Sequence, residues 1–319
     1  MLLIRALVAV VAAWAVCAPA AAQWPDKPIR IIVPVGAGSA NDIAARTVAE
    51  GLGTLWSQRV VVENIAGAGG IRGVTTLVGS PADGYTLGVV PASTLFVSPI
   101  IYPAAKLNLA RDLTPVSPIF ESPLAIAANP QSGINSMADL LRLAKAEPGK
   151  IGISTLPQNT AVHLAAEMLK LQAGINILVV PFTQPGDAIL SAARGDTQLT
   201  IGVATTMAEL VRAGRLKLLA TTLQRRLPGF ENVPAASETV PGYVVNGWGA
   251  MFAPTGTPAS IIDRINRDIQ KVLAAPEIAK RYAAGGMYPV VGSVTDLADI
   301  IKADRPGWES IARSAGKAE

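Results

Sequence analysis

The chain has 319 residues, half of them apolar and only 16% charged, with a formal net charge of +4. That composition excludes disorder for most of its length, and the scattered positive charge, with no Lys/Arg cluster interleaved with aromatics, gives nucleic-acid binding no support. One histidine and one cysteine are too few for a usual metal site, so neither a metal nor a cofactor is expected.

Met1 to Arg5 carries one positive charge, Ala6 to Val16 is an unbroken apolar run, and Ala20-Ala21-Ala22 precedes Gln23. This pattern reads as a secretory signal peptide over residues 1–22. The apolar run is well short of the roughly 20 residues that a membrane-spanning helix needs. Cys17 falls inside the leader, so the exported, periplasmic form has no cysteine and no disulfide. Cleavage leaves roughly 300 residues, a natural size for two domains of about 150 each.

Ile29–Val33 then reads as a buried strand that breaks into Val35-Gly36-Ala37-Gly38-Ser39 before a helix over Asp42–Leu55. Strand Val60–Glu63 leads into Gly67–Gly73, a glycine cluster explained by close packing of a helix start. Strand Thr86–Val90 opens into Ser93 and Thr94. The Pro-rich section Tyr102–Pro123 interrupts the rhythm, as does Leu223–Tyr243, and both mark where the chain passes between domains. Between them lie strands Leu124–Ala128, Ile151–Ser154, Ile177–Pro181, Leu199–Val203 and Leu216–Thr221, separated by helical stretches that include Ala161–Gln172 and Pro185–Arg194. Strand Gly249–Ala253 returns to the first domain, and helices Ala259–Ala275, Pro276–Ala284, Val294–Ala303 and Arg305–Ala315 close the chain. The alternation predicts an α/β fold of two Rossmann-like domains with mostly parallel strands. The first, discontinuous, covers 23–122 plus 247–319 and the second 123–246.

Two enzyme readings are available. Strand, Gly36-x-Gly38, helix and a second strand ending at Glu63 are parts of a dinucleotide site, hence of an NAD(P)-dependent oxidoreductase. Against it, Asn41 stands where the third glycine belongs, and Pro34 removes a donor where the turn begins. A catalytic triad would need His163, which falls in the first turns of a helix, and no G-x-S-x-G surrounds Ser39. What remains is anion binding by backbone N–H groups at helix starts. Donor-rich openings recur after the strands, at Ser93 and Thr94, at Ser154, Thr155 and Asn159, and at Gln184 and Asp187. Thr205 follows another strand. Four such loops suggest a cleft, although each polar residue taken alone also reads as an ordinary helix cap.

The order of motifs then becomes informative. "WPDKPIRIIVPVGAGSANDIAAR", "VVVENIAGAGGIRG", "PADGYTLGVV", "HLAAEMLKLQAG", "AGRLKLLATT" and "APTGTPASIIDRINRDIQKVLAAPEIAKRYAAGG" resemble, in sequence and spacing, the substrate-binding proteins of tripartite tricarboxylate transporters, the Bug or TctC-like receptors. The resemblance implies a type II periplasmic-binding-protein topology with two crossing strands. It also implies capture of a small organic acid between the domains, delivery to membrane transporter subunits of that type, action as a monomer, and no catalysis. The ligand-binding residues expected from the loops and the resemblance together are Val35, Gly36, Ala37, Gly38 and Ser39 as backbone donors and Asn41 and Asp42 as orienting groups. Ser93, Thr94, Ser154, Thr155, Asn159, Gln184, Asp187 and Thr205 complete the set. The family pattern of an aromatic, a glycine pair and Thr-Asp is matched here by Val35, Gly38-Ser39 and Asn41-Asp42. Its Pro-Tyr-Lys/Arg-Gly stretch is Pro181-Phe182-Thr183-Gln184, so a cation is missing where a second carboxylate would be held.

Overall fold

A computed structural model describes residues 24–158, 160–223, 226–227 and 230–315. The expected signal peptide and Asn159 lie outside the described residues. Ten strands are present: β1 (Ile29–Val33), β2 (Val60–Asn64), β3 (Thr86–Pro91), β4 (Leu113–Ala128), β5 (Gly152–Thr155), β6 (Leu178–Pro181), β7 (Leu199–Val203), β8 (Lys217–Thr221), β9 (Asn246–Pro254) and β10 (Tyr288–Pro289). The longer helices are α1 (Ala40–Trp56), α2 (Ile71–Val78), α3 (Met137–Ala146), α4 (Ala161–Ala173), α5 (Pro185–Arg194), α6 (Ala259–Leu273), α7 (Pro276–Ala284) and α8 (Val294–Ala315).

The sheet runs β2-β1-β3-β9-β4-β7-β5-β6, with β8 and β10 also paired to β4. Pairing is parallel within β2-β1-β3 and within β7-β5-β6. It is antiparallel wherever β9 or β4 takes part. The expectation of a mostly parallel sheet is corrected accordingly: the two strands that carry the chain between the halves run against their neighbours.

The Pro-rich section does carry the chain between the two halves of the sheet, but from Leu113 onward it does so as a strand. Leu113–Pro123 pairs with β9, and the same strand continues as Leu124–Ala128 against β7 and β8. Proline donates no ladder hydrogen bond and is tolerated at bulges. The register with β9 accordingly shifts between Pro115 and Ser117 and again between Pro118 and Phe120. Composition alone reads such a segment as a connection. The two helices expected at the C-terminus are likewise one, α8, with Pro306 inside it. Burial of Leu297 before the proline and of Trp308 and Ala312 after it holds the helix together where one backbone bond is lost.

α1 forms because Ser39 caps its first turn and Ala44, Ala45, Val48 and Leu52 supply a buried stripe. That stripe meets Ile31 and Val33 from β1 and Ile265 and Ile269 from α6. At the start of the described chain, Trp24 stacks edge-on against Trp56 at 5.2 Å, and Trp56 donates to Asp268 at 2.7 Å. A second apolar cluster extends across the other face from Ile32 through Ile126 and Ile201 to Trp308, so both halves of the sheet share a core beneath α8.

Candidate functional site

The loop after β1 turns at Gly38, whose φ of +79 favours glycine. A Cβ added at Gly36 or Gly38 would meet nothing within 4 Å, so the loop faces open space. Its donors are not all available. The Gly38 amide donates to Asp42 Oδ2 at 2.9 Å and the Ser39 amide to the Gly36 carbonyl at 3.4 Å, while Ser39 Oγ accepts from the Asp42 amide at 3.3 Å. The amides of Ala40 and Asn41, in the first turn of α1, have no carbonyl four residues back to receive them. The amides of Gly38 and Ser39 are thus engaged within the loop, while those of Ala40 and Asn41 are left at the helix start.

Asp42 holds this loop in place. It is buried and paired with Arg46 at 3.0 Å, and Arg46 also donates to Asn64, whose amide in turn donates to the Val35 carbonyl. Burial pushes the Asp42 carboxyl up, but Arg46, the Gly38 amide and Asn64 together hold it below its ordinary value of 3.8. A carboxyl depressed by folding stabilises the fold above its unfolded pKa and loses that contribution as pH falls through the folded value. Asp42→Asn should therefore flatten the loss of thermal stability below about pH 4 while lowering stability at pH 7. An acid titration of melting temperature for both chains measures the difference.

Thr94 is also accounted for by structure. It is 2% exposed, and its hydroxyl, together with that of Ser98, donates to the Gly69 carbonyl at 3.0 and 2.7 Å. A Cβ at Gly70 would lie 2.7 Å from Thr94 Oγ1, and one at Gly73 2.8 Å from Pro34 Cα. Close packing thus explains the glycine cluster, and Thr94 serves that packing rather than a cleft. Ser93, beside it, is half-buried.

In the other half of the sheet, Ser154 is fully buried, and its hydroxyl lies within bonding distance of the Ala188 and Leu199 carbonyls at 2.6 and 3.2 Å. Thr155, equally buried, donates to the Leu156 carbonyl and lies 3.4 Å from His163 Nδ1. The two side chains leave opposite faces of β5 and both are buried and bonded within the fold. Thr160 caps α4 by accepting from the His163 amide at 3.2 Å. Burial holds the His163 ring below its ordinary 6.5, against the pull of Glu167, so it is neutral at pH 7. Gln184 and Asp187 are exposed at the start of α5. Thr205 packs against the Gly286 turn, where a Cβ would lie 2.6 Å from its hydroxyl.

β9 supplies what the sequence reading missed. Gly247 and Gly249 are two apart and face the same way, with Trp248 on the opposite face. The Asn41 side-chain oxygen and the Phe120 ring occupy the space a Cβ at Gly249 would need, and a Cβ at Gly247 would lie 3.9 Å from Ala161. The first turns of α1 and α4, one from each half of the sheet, thus approach a single strand face that carries no side chain at either position. Asn41 Oδ1 is buried there without a hydrogen-bond partner. The signal was present in "NGWG", two glycines in alternation within an apolar strand.

Two groups of parallel strands are thus joined through β4 and β9, with helix starts from each meeting over the join. Residues 44–316 match the model of the tripartite tricarboxylate transporter family receptor, and the chain belongs to that family. It is similar to BugT of Bordetella pertussis, 32% identical over 304 residues, covering 94% of this chain and 93% of that protein. Among solved structures it is similar to an R. palustris protein with adipate (28% identity, TM-score 0.75, 92% of this chain and 99% of that one). It is also similar to the periplasmic binding protein BugD (27%, TM-score 0.71, 92% and 99%). A TctC solute-binding protein from Polaromonas shares the fold at 21% identity, with a TM-score of 0.79 over 92% of this chain and all of that one.

Proposed function

We propose that this chain is an exported, periplasmic receptor that captures a small organic acid between two domains and delivers it to the membrane subunits of a tripartite tricarboxylate-type transporter, acting as a monomer and without catalysis. The observation that carries the reading is the convergence of the α1 and α4 starts on the bare face of β9 at Gly247 and Gly249. A helix dipole favours an anion by about 0.3–1 kcal/mol in exposed settings, and each hydrogen bond to a charged group adds roughly 1.5–3. A few such donors hold a carboxylate. The relative with adipate is 28% identical to this chain, in keeping with a carboxylic acid as ligand. The division into 23–122 plus 247–319 and 123–246 draws support from β4, whose partner changes from β9 to β7 between Pro123 and Leu124. Bending of β4 and β9 would then open and close the site.

Thr183 stands where the family pattern has a cation, and Gln184 caps α5 without a side-chain bond to its backbone. The ligand class that fits is a monoanion, or an acid with an amide, hydroxyl or aromatic part, rather than a tricarboxylate. Calorimetric titration should give tighter binding to such acids than to citrate. A tricarboxylate bound much more tightly than monocarboxylates would overturn this ligand class.

A further inference from the structure

The face of β9 opposite the candidate site carries Trp248, which is 6% exposed and donates from Nε1 to Asp304 Oδ2 on α8 at 2.7 Å. The same turn of α8 touches both halves of the molecule. Arg305 lies over the Phe96 ring at 5.6 Å, and Phe96 meets Trp248 edge-on at 5.9 Å. Two residues further on, a Cβ at Gly307 would lie 3.7 Å from Met168 of α4. This turn is also the weak point of the helix, because Pro306 donates no backbone bond and Gly307 has no side chain. Two cavities flank it. One of about 270 Å³ is bordered by Phe96, Ile301 and Arg305, and one of about 200 Å³ by Trp248, Ile300 and Asp304. Both open to solvent, so side chains of this turn have room beside them to shift. Leu297 and Trp308 nevertheless anchor it on either side.

We infer that α8 is a strap across the back of the crossing strands: the Trp248–Asp304 hydrogen bond fastens it to the first domain, its Gly307 turn rests on Met168 of the second, and it flexes at Pro306–Gly307 as the two halves move. The balance between conformations, and with it ligand affinity, is then set from the face that the ligand does not touch. The inference rests on the two-domain receptor reading, and the bond acts through position rather than through contact with ligand. Releasing a fastening of one hydrogen bond moves the ratio of the two arrangements by at most about tenfold.

The test uses the chain from Gln23, which has no cysteine, with spin labels at Lys145→Cys on α3 and Lys280→Cys on α7, both exposed. Distance distributions are recorded without ligand and with each acid of a carboxylate panel. Trp248→Phe, which removes only the donor, Asp304→Leu and Pro306→Ala should each shift the ligand-free populations away from those of the parent while the far-UV dichroism stays native. Folded variants whose distributions superimpose on the parent's, with and without ligand, overturn the strap. A parent whose distance moves with no acid contradicts the receptor reading itself, whereas a parent that moves while the variants track it contradicts only the strap.

Discussion

Gly249→Val is expected to destabilise the chain by about 3 kcal/mol, at the upper end of the usual overpacking cost, and to abolish binding of organic acids. The added carbons would enter space held by Asn41 Oδ1 and the Phe120 ring. Phe120 is 2% exposed and stacks edge-on against Tyr282 at 6.4 Å, so displacing it would cost that contact. Asn41 belongs to the first turn of α1, and displacing it would shift the amides proposed to hold the ligand. The backbone conformation at Gly249 is not in the positive-φ region, which makes the effect one of space alone. Gly202→Ala, at a β7 position where a Cβ meets nothing within 4 Å, serves as the control and should remain close to the parent. Urea unfolding gives the stability term, and calorimetry on folded protein the binding term. A valine variant that melts and binds like the parent would show that the α1 start does not depend on the bare face of β9.

Gly70→Ala should cost a similar amount for a different reason. Its φ of +96 penalises any L side chain, by roughly 1–2 kcal/mol in left-handed conformations. The methyl group would also lie 2.7 Å from Thr94 Oγ1 and 3.1 Å from the Pro34 carbonyl. A total loss of about 2–5 kcal/mol follows when the overpacking cost is added. Combining it with Thr94→Ala should recover part of the steric share and none of the backbone share. The double variant separates the two in a denaturant series, and full recovery would contradict the backbone component.

The strands and most helices were legible because each alternates a short β-branched run with a capped amphipathic stretch. β4 was not, because its prolines look like a connection until the bulges against β9 show how they are absorbed. The site was legible as a set of loops and less so as a set of side chains. Ser154 and Thr155 read as polar residues at a strand end, yet the strand continues through them, so its pleat and not their chemistry decides where they point. Asp42 reads as an orienting group, but its capture of the Gly38 amide depends on the sharp turn at Gly38, which no residue pattern specifies. Trp248 belongs to the buried side, and its glycine neighbours carry the information about the candidate site.

The central claim is that the α1 and α4 starts form a receptor site for a small organic acid. A thermal-shift screen of the chain from Gln23 against monocarboxylates, dicarboxylates, tricarboxylates and NAD tests it most directly. The account predicts that at least one organic acid raises the melting temperature in a concentration-dependent manner, that Gly249→Val loses the response, and that NAD has no effect. A melting temperature that rises with NAD and with no acid would contradict it.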